Sequence, residues 1–207
     1  SCSHKGLGYK EVSTLFPLQA GAYDFKVIEA GATCDGAGVT TLSPAIVEES
    51  KPVAFYLLGD GQTKPTLARF AESRPASPIA LSVRYLHAAP NVPARDAGVA
   101  ASASLPTELL LKVFPSVPFG SVAPPSPGNP TIDANGYTDL TTGGGVTPIG
   151  SAAPGTTTVE LTIGPDFKTS HAYTVFAVGN PSLPAFPTQL HVCDETASVG
   201  ILAKCGV

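Results

Sequence analysis

Short runs of alternating apolar and polar residues, separated by turns rich in glycine and proline, constrain this chain more than any other feature. The alternation is clear in residues 23–27, 81–85 and 159–163, and 21 glycines and 21 prolines lie between such runs. A period of two residues places every second side chain on one face of a β-strand. Runs that are more continuously apolar, residues 53–59 and 173–179, predict central strands covered on both faces. The pattern therefore predicts an all-β protein with Pro/Gly-rich loops.

Composition excludes several classes of function. Charged residues make up 14% of the chain and apolar residues 43%, which argues against intrinsic disorder. The formal net charge is -4 and there is no basic cluster, so we expect no nucleic-acid partner. No run of about 18 apolar residues is present, so we expect no membrane insertion.

An internal repeat determines the predicted domain organisation. Segments of the first half have counterparts in the same order in the second half: 8–12 with 118–122, 19–31 with 153–164, 53–59 with 173–179, and 65–72 with 187–195. The first half contains no counterpart of residues 81–117, which open the second half. Repetition of this kind indicates one structural unit used twice.

We therefore predict two immunoglobulin-like, Greek-key β-sandwich modules in tandem. Residues 1–75 form a first module without its opening strands, and residues 76–207 form a second, more complete module. A Pro/Ser-rich linker at 73–78 separates them. The second module carries a long loop insertion at about 123–152, interpreted as a surface excursion with a hairpin at Asn135 and Gly136. Residues 107–113 are either a short helix or a strand.

The cysteines indicate an exported protein. Cys2, Cys34, Cys193 and Cys205 lie in two groups near the ends of the chain, and three pairings are open. We predict local pairs, Cys2 with Cys34 and Cys193 with Cys205, the second of which adds about 3 kcal/mol of stability by closing a short loop. Free thiols are the alternative. The chain starts at Ser1 and has no methionine, so we expect Ser1 to be a processed end, with a secreted or cell-surface location.

One segment resembles a known family. Residues 83–99 read VRYLHAAPNVPARDAGV, followed by Phe119-Gly120-x-Val122 and a strand at 173–179 that begins Tyr-Thr-Val and ends in glycine. This pattern is similar to domain-of-unknown-function family 4397, in which a strand runs into a His-Ala-Ser/Ala-Pro-Asn/Asp-x-Pro turn and then an aspartate. The resemblance covers most of the chain and implies an exported β-sandwich, often in tandem on bacterial or archaeal surfaces, without an established reaction. The missing first opening motif and the insertion after Val122 depart from the pattern.

His87 and Asp96 are the polar members of the opening motif and the first candidates for a ligand site. A histidine near an aspartate is able to bind a metal or to form an acid–base pair. Two groups are few for either role, so we expect His87 to end a strand and bond the Pro-rich turn, with Asp96 capping the same loop. We predict no catalytic residues and no metal site, because the chain has no GxSxG, HExxH or P-loop sequence.

A second candidate lies in the long insertion. Asp133, Asn135 and Asp139 offer oxygens at alternating positions, which makes calcium the one cofactor to consider, although Asx-turn chemistry is the preferred interpretation. Tyr137 is the candidate for an exposed aromatic platform that binds a glycan.

These observations predict a non-enzymatic extracellular structural or adhesive protein. A sandwich without its opening strand leaves unpaired backbone groups, which a strand from another copy or the chain's own tail at 198–203 would cover, as in the assembly of surface fibres. We therefore expect self-association, with other surface proteins or glycans as further partners. The alternative is an extracellular glycan- or small-molecule-binding module.

Overall fold

A computed structural model describes most of the protein. The described residues are 7, 8, 10, 13, 17–59, 65–72, 78–127, 131–140, 145–196 and 204–206. Within them the chain forms fifteen β-strands and no helix, so no helix in these ranges could cross a membrane. The prediction of an all-β fold is therefore confirmed.

The strands alternate with short turns along the whole described chain. In chain order they are β1 (Gly21–Val27), β2 (Thr40–Val47), β3 (Val53–Leu58), β4 (Thr66–Ala71), β5 (Leu81–His87), β6 (Arg95–Ala100), β7 (Leu109–Val117), β8 (Tyr137–Leu140), β9 (Gly145–Val146), β10 (Ile149–Ala152), β11 (Val159–Ile163), β12 (Asp166–Phe167), β13 (Ala172–Val178), β14 (Gln189–Asp194) and β15 (Lys204–Gly206).

The second half of the chain forms a two-layer sandwich, which we call the C-terminal sandwich. One sheet has five strands in the order β15-β14-β13-β5-β8, and the other has four in the order β11-β10-β6-β7. β5 and β13 are parallel neighbours, whereas the other pairs in both sheets are antiparallel. Alternate residues of β5 and β13, among them Val83, Tyr85 and Val175, fill the core between the sheets.

The four-stranded sheet curls so that its two outer strands meet at one end. The amide of Leu109 donates to the carbonyl of Thr157 at 2.8 Å, and the amide of Val159 donates to the carbonyl of Thr107 at 3.1 Å. Ala100, Leu109, Ala152 and Val159 form a small apolar cluster at this closure. Residues 109–113, for which the sequence left helix or strand open, belong to strand β7.

The long insertion is part of the sandwich, which corrects its interpretation as a surface excursion. It supplies β8, which pairs with β5 at the edge of one sheet, and β10, which lies between β6 and β11 in the other. Ile132, Leu140 and Ile149 are buried in the main core. The prolines and glycines of this segment separate short strands whose few apolar side chains are enough to hold them in the core.

The first half of the chain forms two antiparallel hairpins, β1–β2 and β3–β4, which we call the N-terminal hairpins. They pack on each other, with the rings of Phe25 and Phe55 4.2 Å apart between centroids. The prediction that 173–179 contains a central strand is confirmed, since β13 lies in the middle of the five-stranded sheet. The same prediction for 53–59 is wrong, because β3 belongs to a two-stranded sheet.

The β3–β4 hairpin also covers the outer face of the five-stranded sheet. Tyr56 and Phe70 pack against Leu86, Phe176 and the Cys193–Cys205 region of that face. All seven residues of β5 are consequently buried, although its sequence alternates. The C-terminal sandwich therefore has a third layer supplied by the first half of the chain.

Gly98 provides a test of the β6–β7 pairing. A Cβ atom at this position would lie 2.0 Å from the carbonyl oxygen of Leu111 and 2.8 Å from the amide nitrogen of Val113. We predict that Gly98→Ala lowers the free energy of unfolding by about 2–3 kcal/mol, because backbone atoms of β7 must move to accept the methyl group. Urea denaturation measures this. Gly21→Ala is the matched control, since its Cβ would approach only the Tyr23 ring at 3.6 Å, and equal loss in both variants would contradict the prediction.

Candidate functional site

The polar centre of the molecule is the guanidinium group of Arg84, which lies where the β3–β4 hairpin meets the five-stranded sheet. β5 is parallel to β13 and places Arg84 directly beside Thr174 on the outer face of the sheet. The residue is 0% exposed. A cation without solvent must be surrounded by acceptors, because an unpaired buried charge is very unfavourable.

All three nitrogens of the guanidinium donate hydrogen bonds. Nε donates to Oγ1 of Thr174 at 2.7 Å, and Nη1 donates to the carbonyl oxygen of Ala71 at 2.8 Å. Nη2 donates to Oε1 of Glu195 at 3.0 Å and to the hydroxyl of Tyr56 at 3.2 Å. Arg84 thus bonds at once to the end of β4, the middle of β13 and the residue that follows β14. We call these residues, together with Tyr137, the junction.

Two tyrosines complete the junction around Glu195. Tyr56 donates its hydroxyl proton to Oε1 of Glu195 at 2.7 Å, and Tyr137 donates to Oε2. The ring of Tyr137 also lies 4.6 Å from the Arg84 guanidinium carbon, close enough for a cation–π contact. Both carboxylate oxygens are therefore engaged by groups from different strands.

The ionisation of the junction follows from burial and from the Arg84–Glu195 pair. Burial lowers the pKa of Arg84, but the charge of Glu195 together with the contributions of Tyr56 and Tyr137 more than offsets this, and the net pKa is raised. Burial, and then the charge of Glu195, raise the pKa of Tyr56 and of Tyr137 above the ordinary value. The arginine remains charged and both phenols remain protonated, so the junction is a fixed structural connection.

The second feature of interest is the edge of β3 that faces away from β4. Within the described residues, β4 is the only strand that pairs with β3. The β3–β4 and β13–β14 pairs have the same length and register, so that Val53↔Ala71 corresponds to Tyr173↔Asp194. In the second hairpin the equivalent edge of β13 is covered by β5.

Side chains at equivalent positions of β3 and β13 also differ in their exposed fraction. Leu57 of β3 is 51% exposed, whereas Ala177, its counterpart in β13, is 1% exposed. An apolar strand with one unpaired edge is the kind of surface to which another strand adds. Among the described strands, β3 thus has one edge without a neighbour, next to the junction.

Equivalent positions of the two halves face each other. The ring of Tyr56 lies edge-on to the ring of Phe176, its counterpart, with centroids 5.2 Å apart. The hairpin and the sandwich therefore contact each other through matching faces.

His87 lies where its motif predicted, at the end of β5, and is fully buried. Its Nδ1 accepts from the amide of Ala89 at 3.3 Å, so Nε2 carries the proton that is donated to the carbonyl of Pro93 at 2.9 Å. Burial lowers the pKa of His87. This neutral histidine fixes the Pro-rich turn, which is the structural role expected for it.

Asp96 does not cap the same loop, which corrects that prediction. It points the other way, where Oδ1 accepts from the amide of Ser116 at 2.7 Å and Oδ2 accepts from the amide of Gly155 at 3.0 Å and from Nζ of Lys112 at 3.2 Å. These bonds lower the pKa of Asp96 although its burial acts in the opposite direction. Consecutive side chains of a strand face opposite sides of the sheet. The side of β6 to which Asp96 belongs meets β7 and the β10–β11 turn, so Asp96 bonds these two elements and not the Pro-rich turn.

The residues of the insertion do not form a binding loop around Tyr137. Asp133 Oδ1 accepts from the amides of Asn135 and Tyr137, both at 2.8 Å, in an Asx turn that begins β8. Asp139 accepts from Ser82 on β5. Tyr137 is 2% exposed and its hydroxyl is in the junction, so it is not the exposed glycan platform that the sequence suggested.

One of the two predicted disulfides lies wholly within the described residues. Cys193 and Cys205, the pair predicted at the C-terminal end, form a disulfide that links β14 to β15. Cys34 is disulfide-bonded, and its predicted partner Cys2 lies outside the described residues. The described ranges contain no group of three His, Cys, Asp or Glu side chains arranged to hold a metal ion.

The sequence did not reveal two of the pairs that the structure brings together. Arg84 and Glu195 are 111 positions apart, and the alternation of β5 assigned Arg84 to a solvent-facing side. His171 Nδ1 lies 2.7 Å from Oδ2 of Asp194 at the half-exposed end of β13 and β14. The available signal was one charged residue, Arg84, between the apolar residues Val83 and Tyr85 of β5.

Comparison with known proteins finds a family match over part of the chain. Residues 3–98 match the family described as a domain of unknown function, DUF4397. The matched range is slightly less than half of the chain and runs from the N-terminal hairpins through β5 into β6. It supports the resemblance seen in the opening motif. No curated protein and no solved structure matches the chain.

Glu195→Gln tests the junction. Removing the carboxylate charge leaves Arg84 buried without a counter-ion, and we predict that the free energy of unfolding falls by about 3–5 kcal/mol. Thermal and chemical denaturation at pH 7 measure the effect. Glu48→Gln is the control, because the Glu48–Lys51 pair is exposed and its loss should change stability little. A loss below about 1 kcal/mol in Glu195→Gln would show that the pair is not a stabilising connection.

Buried histidines predict the response to acid. The pKa of His87 is lowered by burial, and that of His191 is lowered by burial and by the charge of Lys10. The unfolded chain therefore binds protons more readily than the folded one, so stability is complete above about pH 6.5 and declines as the pH falls below it. We predict that His87→Gln reduces the decline in unfolding free energy between pH 7.5 and 5, and that His87→Gln/His191→Gln reduces it further. An unchanged slope in both variants would refute this.

Proposed function

We propose that this chain is a non-enzymatic extracellular structural or adhesive protein that assembles when another chain adds a strand to the open edge of β3. The observation that carries the proposal is the contrast between two matched hairpins. β13 is paired on both edges, whereas within the described residues β3 is paired only with β4. Extended segments bind to such edges through backbone hydrogen bonds, with alternate side chains giving specificity.

The junction supports an assembly role because it makes the acceptor rigid. Arg84 bonds the carbonyl of Ala71 and the hydroxyl of Tyr56, one on each strand of the β3–β4 hairpin. A hairpin alone is only marginally stable in water. Fixed against the five-stranded sheet, β3 presents a preformed edge, and less conformational entropy is lost when a strand binds to it.

A strand from another chain fits the proposal better than the chain's own tail. Residues 198–203, the tail segment considered from the sequence, lie outside the described residues. The residues that follow this segment belong to β15, at the edge of the five-stranded sheet. There Lys204 is the backbone partner of Asp194, and the disulfide fixes Cys205 to Cys193. A second copy or another surface protein is therefore the proposed donor.

Such a contact would join different surfaces of the two partners. When donor and acceptor are different, repeated association continues from copy to copy and produces filaments unless a ring closes. The disulfide between Cys193 and Cys205 supports an oxidising, extracellular location. The glycan-binding alternative loses its one candidate residue, since Tyr137 is buried.

Leu57→Lys tests the proposed assembly. Leu57 is 51% exposed, so the folded chain should tolerate lysine, but a charge beside the open edge should prevent another strand from docking. We predict that protein produced in its native host sediments as assemblies and that the Leu57→Lys variant sediments as monomers. Electron microscopy of the same material should show filaments only for the unaltered protein.

Leu110→Lys is the matched control, because Leu110 is 71% exposed on β7, away from the acceptor edge. It should assemble as the unaltered protein does. Monomeric unaltered protein, or equal assembly of the Leu57→Lys variant, would refute the proposal.

A further inference from the structure

We infer that the strand accepted by β3 resembles β5 in sequence, runs parallel to β3, and presents a basic side chain to the junction. The inference depends on the acceptor edge proposed above and specifies the chemistry of its partner. It follows from the correspondence between β3 and β13, because the second of these strands already has the neighbour that the first lacks.

The register of the β5–β13 pair defines the side-chain pattern of the donor. In that pair Arg84 lies opposite Thr174, and Leu86 lies opposite Phe176. Ala54 is the counterpart of Thr174 and Tyr56 that of Phe176, according to the matched registers of the two hairpins. A parallel donor in the same register therefore places a basic residue opposite Ala54 and a large apolar residue opposite Tyr56.

The opposite face of β3 sets the remaining donor positions. Phe55, on this face, contacts Phe25 of the β1–β2 hairpin, and Leu57 is half exposed. Their counterparts Val175 and Ala177 are buried at 0% and 1% exposure, with Val83 and Tyr85 of β5 in the same core. The donor should therefore carry apolar residues opposite Val53 and Phe55, as β5 does opposite Tyr173 and Val175, and a counterpart of His87 opposite Leu57.

Charge favours a basic residue on the face toward the junction. Glu72 follows β4 as Glu195 follows β14, and its negative charge contributes to the raised pKa of Tyr56. Its carboxylate therefore lies near the junction. A donor arginine opposite Ala54 would extend to the end of β4, as Arg84 extends to Glu195 at the end of β14. The junction then holds two carboxylates, Glu195 and Glu72, and one cation, Arg84, so a basic donor residue balances the remaining negative charge and an acidic one adds to it.

The strand β5 of the folded chain is not itself free to act as donor. It is paired on one edge with β13 and on the other with β8. A folded second copy has its β5 paired in the same way, so the donor is a strand of this pattern in another surface protein, where it is not already paired. This places an extended peptide of the form apolar-x-apolar-basic-apolar-apolar as the ligand of the β3 edge.

A synthetic peptide with the sequence of residues 79–89, IALSVRYLHAA, tests the inference on the full-length protein. We expect one peptide to bind per chain, to raise the melting temperature, and to protect the amides of β3 from hydrogen exchange while those of β13 remain as they were. A peptide with the Arg84→Glu change should bind at least about tenfold more weakly. The reversed sequence should not protect β3, because the inferred pairing is parallel.

The Leu57→Lys variant serves as the acceptor control and should lose peptide binding, whereas Leu110→Lys should retain it. Loss of protection in β13 would show displacement of β5 and would overturn the inference, as would equal binding of the reversed or Arg84→Glu peptides. Failure of the peptide to bind while the native material still assembles through Leu57 would overturn the inference and leave the proposed function standing. Peptide binding without any assembly of the native protein would support the inference and refute the proposed function.

Discussion

The buried ion pair between Arg84 and Glu195 is the interaction on which the arrangement of this protein depends. It has a cost, since both charges lose water, and that cost is offset only because every polar atom around the pair has a partner. Thr174, Tyr56, Tyr137 and the carbonyl of Ala71 supply those partners from four different strands. Because the acceptors come from both halves of the chain, the same network that satisfies one buried cation also fixes the β3–β4 hairpin on the sandwich.

β5 is the strand through which this arrangement is organised. One of its faces contributes Val83 and Tyr85 to the core of the sandwich, and the other contributes Arg84 and Leu86 to the contact with the hairpin. Its opening-motif histidine then fixes the turn that leads to β6. Within the described residues of the first half no strand takes the place of β5, and β3 is paired with β4 alone.

Much of the fold was predictable because strand periodicity is a local property. The positions of β1, β5, β11 and β13 follow from alternation or from continuous apolar runs bounded by turn residues. The insertion between residues 123 and 152 was misjudged for the same reason. Its strands are only two to four residues long, too short to show a period, and its prolines and glycines resemble those of an irregular loop. β3 was misplaced because an apolar run shows that a strand is covered, and does not show whether neighbouring strands or a packed hairpin cover it.

The sequence by itself determined that this chain is a β-protein and that His87 fixes a Pro-rich turn, since both depend on residues close together in the chain. Only the tertiary structure decided that Arg84 is buried, that Glu195 is its counter-ion, and that Tyr137 is an interior residue. A strand has two faces, and its sequence identifies the face that enters its own core. Whether the other face meets water or a distant hairpin depends on how the layers pack, and that packing placed a charged network where alternation predicted solvent.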